Sequence, residues 1–191
     1  DASTIHRWVR KFGPEIRKRA YGGHRSWRGL QWHVDETYIR VGGRWCYLWR
    51  AVDQLGQLID FRLTARRNAK AARAFLRQAR ETVRLYQPLT IVTDKAHSYA
   101  KVIGEINDRL GPEHTIRHVD RKYLNNRIES DHAAIEQRLR PMRGFQTMAG
   151  AKAALAGIET FRTIRKGQFV SCRTGVENEI DFVAKLFPEA A

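Results

Sequence analysis

The sequence predicts an α/β fold: a mixed five-stranded sheet flanked by helices. Three observations point there. Apolar residues alternate with period two from about residue 30 to 63, then recur with the helical period. Turn signals, Gly42-Gly43 above all, separate the first three apolar runs. Two later short apolar runs are set between helical segments, as in strands joined by crossovers. With 191 residues and 42% hydrophobic content, the chain is long and apolar enough to bury a core.

In chain order, Ser3 is expected to cap a short basic helix, Thr4 to about Lys11, which Pro14 ends. Ile5, Trp8, Val9 and Phe12 are its apolar residues; Arg7, Arg10 and Lys11 share its other side. It has the character of the last helix of a helix-turn-helix reader, but the companion helices are absent, and a plain basic linker helix fits as well. Residues 15–29 read as a flexible basic linker. A strand over 30–41 follows, with Trp32, Val34 and Tyr38 on one face and His33, Asp35, Thr37 and Ile39 on the other. Asp35 and Glu36 therefore point to opposite faces. Residues 44–52 and 57–63 complete an antiparallel meander. Asn68 caps a helix to about Tyr86, with Ala72, Phe75, Leu76, Ala79 and Val83 inward. Residues 89–93 form a short strand ending at Asp94. A helix over 98–110 turns Val102, Ile103, Ile106 and Leu110 inward, and residues 115–119 supply the fifth strand. Asn126 caps a helix to about Arg140, closed by Pro141. A last long helix spans 149–166, with Leu155, Ile158, Phe161 and Ile164 as its apolar stripe. The tail carries an amphipathic segment, Val176–Phe187, a candidate oligomer contact. This is the element order of a ribonuclease-H-like fold, in which the ends of the first and fourth strands lie side by side.

Lys and Arg total 35 against 20 Asp and Glu, a net charge of +15 with a pI near 10.5. A polyanion is the leading partner; a ribosome-associated or merely basic protein is the plainer alternative. Cys46 and Cys172 are far apart, without zinc or disulfide spacing, which fits a reducing compartment and a cytoplasmic, nucleoid-associated protein. No apolar run approaches the roughly 18 residues that span a bilayer. The chain opens at Asp1 without a Met, so a fragment or an incomplete reading frame is expected.

Three acids stand where strand ends and a helix start converge: Asp35, Asp94 and Glu129. Two-metal phosphodiester chemistry needs hard oxygen ligands holding ions about 3.5–4 Å apart, and Mg²⁺ favours a few carboxylates plus water and phosphate. Singly, each acid has an ordinary explanation. Asp35 fits a strand-edge residue, Asp94 a turn residue paired with Lys95, and Glu129 a capping box with Asn126. Together they are hard to obtain by chance. Asp53, Asp60, Asp120 and Asp131 compete. Asp131 is about 200° round the helix from Glu129 and is not expected to share the site. His33, His97 and His132 lack zinc-ligand spacing; His132, one turn after Glu129, is placed to touch phosphate or support the site. No GxxxxGK[ST], GxGxxG or GxSxG motif is present.

The runs Trp32-His33-Val34-Asp35-Glu36-Thr37-Tyr38, Thr93-Asp94-Lys95-Ala96, Tyr123 through His132, Arg140-Pro141-Met142-Arg143-Gly144-Phe145, and Gly157-Ile158-Glu159-Thr160 with Ile164 through Gln168 strongly resemble the DDE transposases of insertion-sequence family six. The resemblance covers about residues 1–170. It implies a ribonuclease-H-like catalytic domain over 30–170, with 1–13 a helix-turn-helix remnant, 14–29 a linker and 171–191 a tail. It implies Mg²⁺ or Mn²⁺, two ions, held by a triad at Asp35, Asp94 and Glu129, the last two separated by 34 residues. It also implies 3′-end cleavage and strand transfer on double-stranded DNA, at terminal inverted repeats and target, by a homodimer or higher oligomer. Arg7, Arg10, Lys11, Lys95, Arg121, Lys122 and Arg138 are the residues expected to touch DNA.

Two positions depart from the family pattern. Only the last helix of the helix-turn-helix is expected, and Glu136 stands where the family carries a DNA-contacting Lys, with Arg138 a partial substitute. A truncated or decayed copy that binds DNA without catalysis is therefore the competing function. A nuclease acting on RNA–DNA hybrids is the third.

Overall fold

Alternation becomes a strand where the first apolar run begins. In the computed structural model, which describes residues 2–20, 30–83, 87–94, 97–120 and 126–187, β1 spans Gln31–Val41, β2 Arg44–Asp53 and β3 Leu58–Thr64. Then come α2 (Ala69–Val83), β4 (Thr90–Thr93), α3 (His97–Leu110), β5 (Arg117–Asp120) and α4 (Asn126–Leu139). These lie in one unit, Ser26–Gly144. The sheet order is β3-β2-β1-β4-β5; the first three strands are antiparallel, and β4 and β5 run parallel to β1 and to each other. The β1–β2 turn uses Gly42 and Gly43, both at positive φ (56° and 75°), which two-residue hairpins require and glycine adopts without strain.

Each sheet face takes the helices its residue pattern asks for. Trp32, Val34, Trp49, Ala51 and Ile59 face α2 and α3, where Phe75, Leu76, Ala79, Val102 and Ile103 complete a buried core. On the opposite face α4 packs over β1 and β2, and Ile128 joins Val52 and Leu58. The Asn68 carboxamide accepts from the Ala71 N–H at 2.9 Å, the expected cap of α2.

The second unit comprises Asp1–Arg25 and Phe145–Ala191. Here the sequence expectation is corrected. α1 runs Ala2–Ala20 with Pro14 inside it, so it neither starts after a Ser3 cap nor ends at Lys11, and residues 15–20 are helix rather than linker. A Pro inside a helix removes one hydrogen bond and costs about 3 kcal/mol, so propensity alone argues for a break. Packing overrides it. Gly13, Ile16 and Ala20 form a buried stripe, and α1 crosses α5 (Met148–Arg165) where Gly13 meets Gly157. A Cβ on Gly13 would stand 2.4 Å from the Gly157 Cα, so only glycine permits this approach.

The α5 stripe also differs: Leu155 and Ile164 are buried, but Phe161 is exposed, while Glu159 and Arg162 are buried as an ion pair at 3.0 Å. In α6 (Val176–Lys185), Val176 and Ile180 are exposed, and Phe182 is the buried residue, stacked on Phe169 at 5.2 Å. No helix among the described residues is long and apolar enough to cross a membrane.

Candidate active site

Strand register brings the first two acids together. β1 and β4 pair in parallel up to Val34 opposite Thr93, so the next step sets Asp35 beside Asp94, just past the end of β4. Thr93 Oγ1 donates to the Asp94 carbonyl at 2.8 Å and lies 2.8 Å from His118 Nε2, which fixes this strand end. Glu129 projects, exposed, from the first turn of α4, the helix that covers the Asp35 face of β1.

The Asp35 carboxyl responds to its surroundings. Burial pushes the Asp35 carboxyl up to about 7; the Glu36 N–H, donating to its Oδ1 at 2.8 Å, works against this, and the charges of Glu36, Asp94 and Glu129 add to it. The site is graded in exposure: the Asp35 side chain is 19% exposed and that of Asp94 38%. Among the described residues, no group of three or more His, Cys, Asp or Glu side chains is arranged to hold a metal ion. Asp35 and Asp94 are hard oxygen donors, the ligand type that Mg²⁺ and Mn²⁺ take together with water and phosphate oxygens.

Three polar tethers seat α4 on the sheet. Arg50, directly across from Asp35 in the β1–β2 register, is fully buried and ion-paired with Asp131. His132 is buried with Nδ1 3.6 Å from Asp35 Oδ2. Thr37 Oγ1 donates to Glu136 Oε1 at 2.5 Å. His132, one turn after Glu129, thus stands next to Asp35. Glu136, read from sequence as a charge facing phosphate, is instead engaged with β1.

A second network lies behind the site on the other face of β1. Glu36 is buried, accepts a hydrogen bond from Tyr99 Oη at 2.6 Å and pairs with Arg67. Arg67 Nη2 also lies 4.0 Å from Asp94 Oδ2. Burial raises the Glu36 carboxyl above its usual range, against the pull of Tyr99 and Arg67. Sequence reasoning missed this set. Alternation correctly turned Glu36 away from Asp35, but nothing in the sequence indicates that Arg67, from the loop after β3, reaches Asp94.

The competing acids have structural work. Asp53 accepts the Leu55 and Gln57 N–H groups, both at 2.9 Å. Asp60 accepts from Gln78 and Thr82 at 2.9 and 2.8 Å. Asp131 turns to Arg50, consistent with its helical offset from Glu129. Of the residues expected to touch DNA, Arg138 is exposed on α4 and donates to the Ala134 carbonyl at 2.6 Å. Arg7, Arg10 and Lys11 are exposed on α1, in the other unit. Lys95, Arg121 and Lys122 lie outside the described residues.

Residues 29–168 match the family described as DDE domain. The chain is 35% identical over 175 residues to a Staphylococcus aureus transposase for insertion sequence-like element IS431mec, covering 86% of this chain and 70% of that protein. The same figures hold for the Staphylococcus aureus transposase for insertion sequence element IS257 in transposon Tn4003. Among solved structures, the crystal structure of the Mos1 strand transfer complex matches with a TM-score of 0.50 at 15% identity, over 95% of this chain and 62% of that one, a likeness of fold alone.

Proposed function

The chain belongs to the DDE transposases of insertion-sequence family six, and we propose that it cleaves DNA 3′ ends at terminal inverted repeats and joins them to target DNA at Asp35, Asp94 and Glu129. The observation that supports this reading is the β1–β4 register, which sets Asp35 next to Asp94; the Asp35 carboxyl, raised first by burial, is raised further by the charges of Glu36, Asp94 and Glu129. Carboxylates so arranged oppose one another unless positive charge joins them. Two divalent ions, Mg²⁺ or Mn²⁺, would supply that charge, activating the attacking water or 3′-hydroxyl and offsetting charge on the leaving oxygen.

The protein's own groups do the rest. Asp35 and Asp94 offer oxygens from rigid strand ends, so their spacing is set by the sheet. Glu129 comes from a helix that Arg50, Asp35 and Thr37 hold in register. His132 orients the Asp35 carboxylate. Exposed Arg and Lys side chains, Arg138 among them, carry the phosphate backbone to the site.

A strand-transfer assay with the element's own ends and Mg²⁺ or Mn²⁺ tests the proposal. Joined product is expected from the wild type, and Asp94→Ala abolishes it while leaving DNA binding largely intact. Binding without joining in the wild type, with joining restored by Glu136→Lys, would instead identify a decayed copy. Cleavage of RNA–DNA hybrids without any end joining would mark a nuclease.

A further inference from the structure

The tip of the β1–β2 hairpin carries an aromatic surface that extends past the core. Tyr38 is 52% exposed and Trp45 is 60% exposed. Their rings meet edge to face, with centroids 6.4 Å apart and planes at 83°. Tyr47, opposite Tyr38 in the register, adds a third ring at 5.3 Å. Register and alternation put all three on the face of the hairpin that bears Trp32 and Trp49; Tyr47 is partly buried against the core, and Tyr38 and Trp45 extend the aromatic surface beyond it. Isolated exposed aromatics are unremarkable; three in contact form a patch that needs a reason.

The surroundings of the patch are basic. The Arg40 guanidinium lies over the Trp45 ring, 5.5 Å from its centroid. β3 ends at Thr64 beside Tyr47, so the chain leaves the sheet there through exposed Arg66 and Arg67. Arg67 pairs with Glu36, and its Nη2 lies 4.0 Å from Asp94 Oδ2 at the edge of the acidic site; burial disfavours its charge, and Glu36, Tyr38 and Asp94 more than offset this. Along this strip Glu36 is buried and already paired with Arg67, and Asp94 stands at the end nearer the acidic site. Flat π-faces rimmed by guanidinium groups complement an unpaired nucleobase with its flanking phosphates. An apolar protein segment would find no use for the rim.

We infer that Tyr38, Tyr47 and Trp45, with Arg40 and Arg67, form a stacking platform for an unpaired DNA base next to the reacting strand end. This rests on the proposed function for the identity of the strand but not for the stacking itself. The strip from Asp94 through Arg67 and Tyr38 to Trp45 gives a strand leaving the acidic site a charged path with an aromatic stop. Every base presents a π-face, so the platform selects unpaired structure rather than sequence.

The test compares two single-stranded probes of equal length and charge, a fluorescent oligo-dT and the same backbone with abasic residues, bound to the full chain in EDTA. Phosphate contacts contribute equally to both, so the ratio of affinities reads base stacking alone. The wild type is expected to bind oligo-dT about tenfold more tightly than the abasic strand. Trp45→Ala brings the ratio close to one, and Trp45→Phe keeps most of it. Circular dichroism on each variant confirms the fold, since Trp45 is outside the core. Equal binding of both probes by the wild type, or a ratio that survives in a folded Trp45→Ala protein, overturns the inference. So does a Trp45→Ala variant that changes only the oligomeric state in sedimentation, which would make the patch a contact between copies. A wild type that shows the ratio but never joins DNA would refute the catalytic reading and leave the platform standing.

Discussion

Arg50 is fully buried in β2, and its guanidinium holds the Asp131 carboxylate on α4, two residues beyond Glu129. This pair fixes the height and rotation of the helix that presents the third acid. Removing one partner leaves an uncompensated buried charge. Arg50→Met is therefore expected to destabilise the protein by about 3–5 kcal/mol. The double change Arg50→Met with Asp131→Leu recovers much of that stability yet not DNA joining, because α4 loses its polar register. Urea denaturation beside the strand-transfer assay checks both halves.

Asp35 makes metal-free stability depend on pH. Its folded-state carboxyl is raised from 3.8 to about 7, so the folded chain binds this proton more tightly than the unfolded one. The stabilising contribution is fully present below about pH 4 and is lost as pH rises through about 7. The span corresponds to about 4 kcal/mol at most. In EDTA, Asp35→Asn is expected to melt near the wild type at pH 4 and clearly above it at pH 8. Parallel melting curves across that range would contradict the assignment. Added Mg²⁺ should raise the wild-type melting temperature at pH 8 more than that of Asp35→Asn.

Glu136 separates docking from DNA contact. Its bond to Thr37 Oγ1 is partly exposed, so Glu136→Ala is expected to cost only about 0.5–1.5 kcal/mol. Thr37→Val should cost a similar amount, and the double mutant little more than either, which a double-mutant cycle measures. Glu136→Lys pays the same docking cost while tightening DNA binding at low salt. If it leaves stability unchanged, the Thr37 bond contributes nothing.

The crossing of α1 and α5 depends on the absence of side chains. At Gly157 a Cβ would stand 2.7 Å from Val9 Cγ1, and at Gly13 it would meet the Gly157 backbone. Gly13→Ala is expected to lower stability by about 1–3 kcal/mol through overpacking, even though Ala is the better helix former. A thermal melt decides the sign: a stabilised variant would show that the helices are free to move apart.

DNA affinity should fall steeply with salt, since the net charge of +15 implies many phosphate contacts that release counterions. Arg138→Ala is expected to reduce the log–log salt slope by about one, uniformly across sequences. Fluorescence anisotropy at several salt concentrations reads this directly.

Period and spacing in the sequence by themselves determined the order of strands and helices and the two faces of β1, and they singled out the three acids proposed as the triad. Those features are local or written in residue type: side chains alternate along a strand whatever surrounds it, and Asp35, Asp94 and Glu129 stand in long specific motifs. Tertiary structure alone decided the rest, because each remaining feature joins residues far apart in the chain. Pro14 was expected to end α1, and the helix continues because packing against α5 outweighs a lost hydrogen bond. Glu136 looked like a charge facing DNA, and its partner Thr37 lies 99 positions away. Arg67 belongs to an ordinary basic loop until the fold carries it to Glu36 and Asp94. Alternation tells which face a residue takes, but only the assembled sheet and helices tell what waits there.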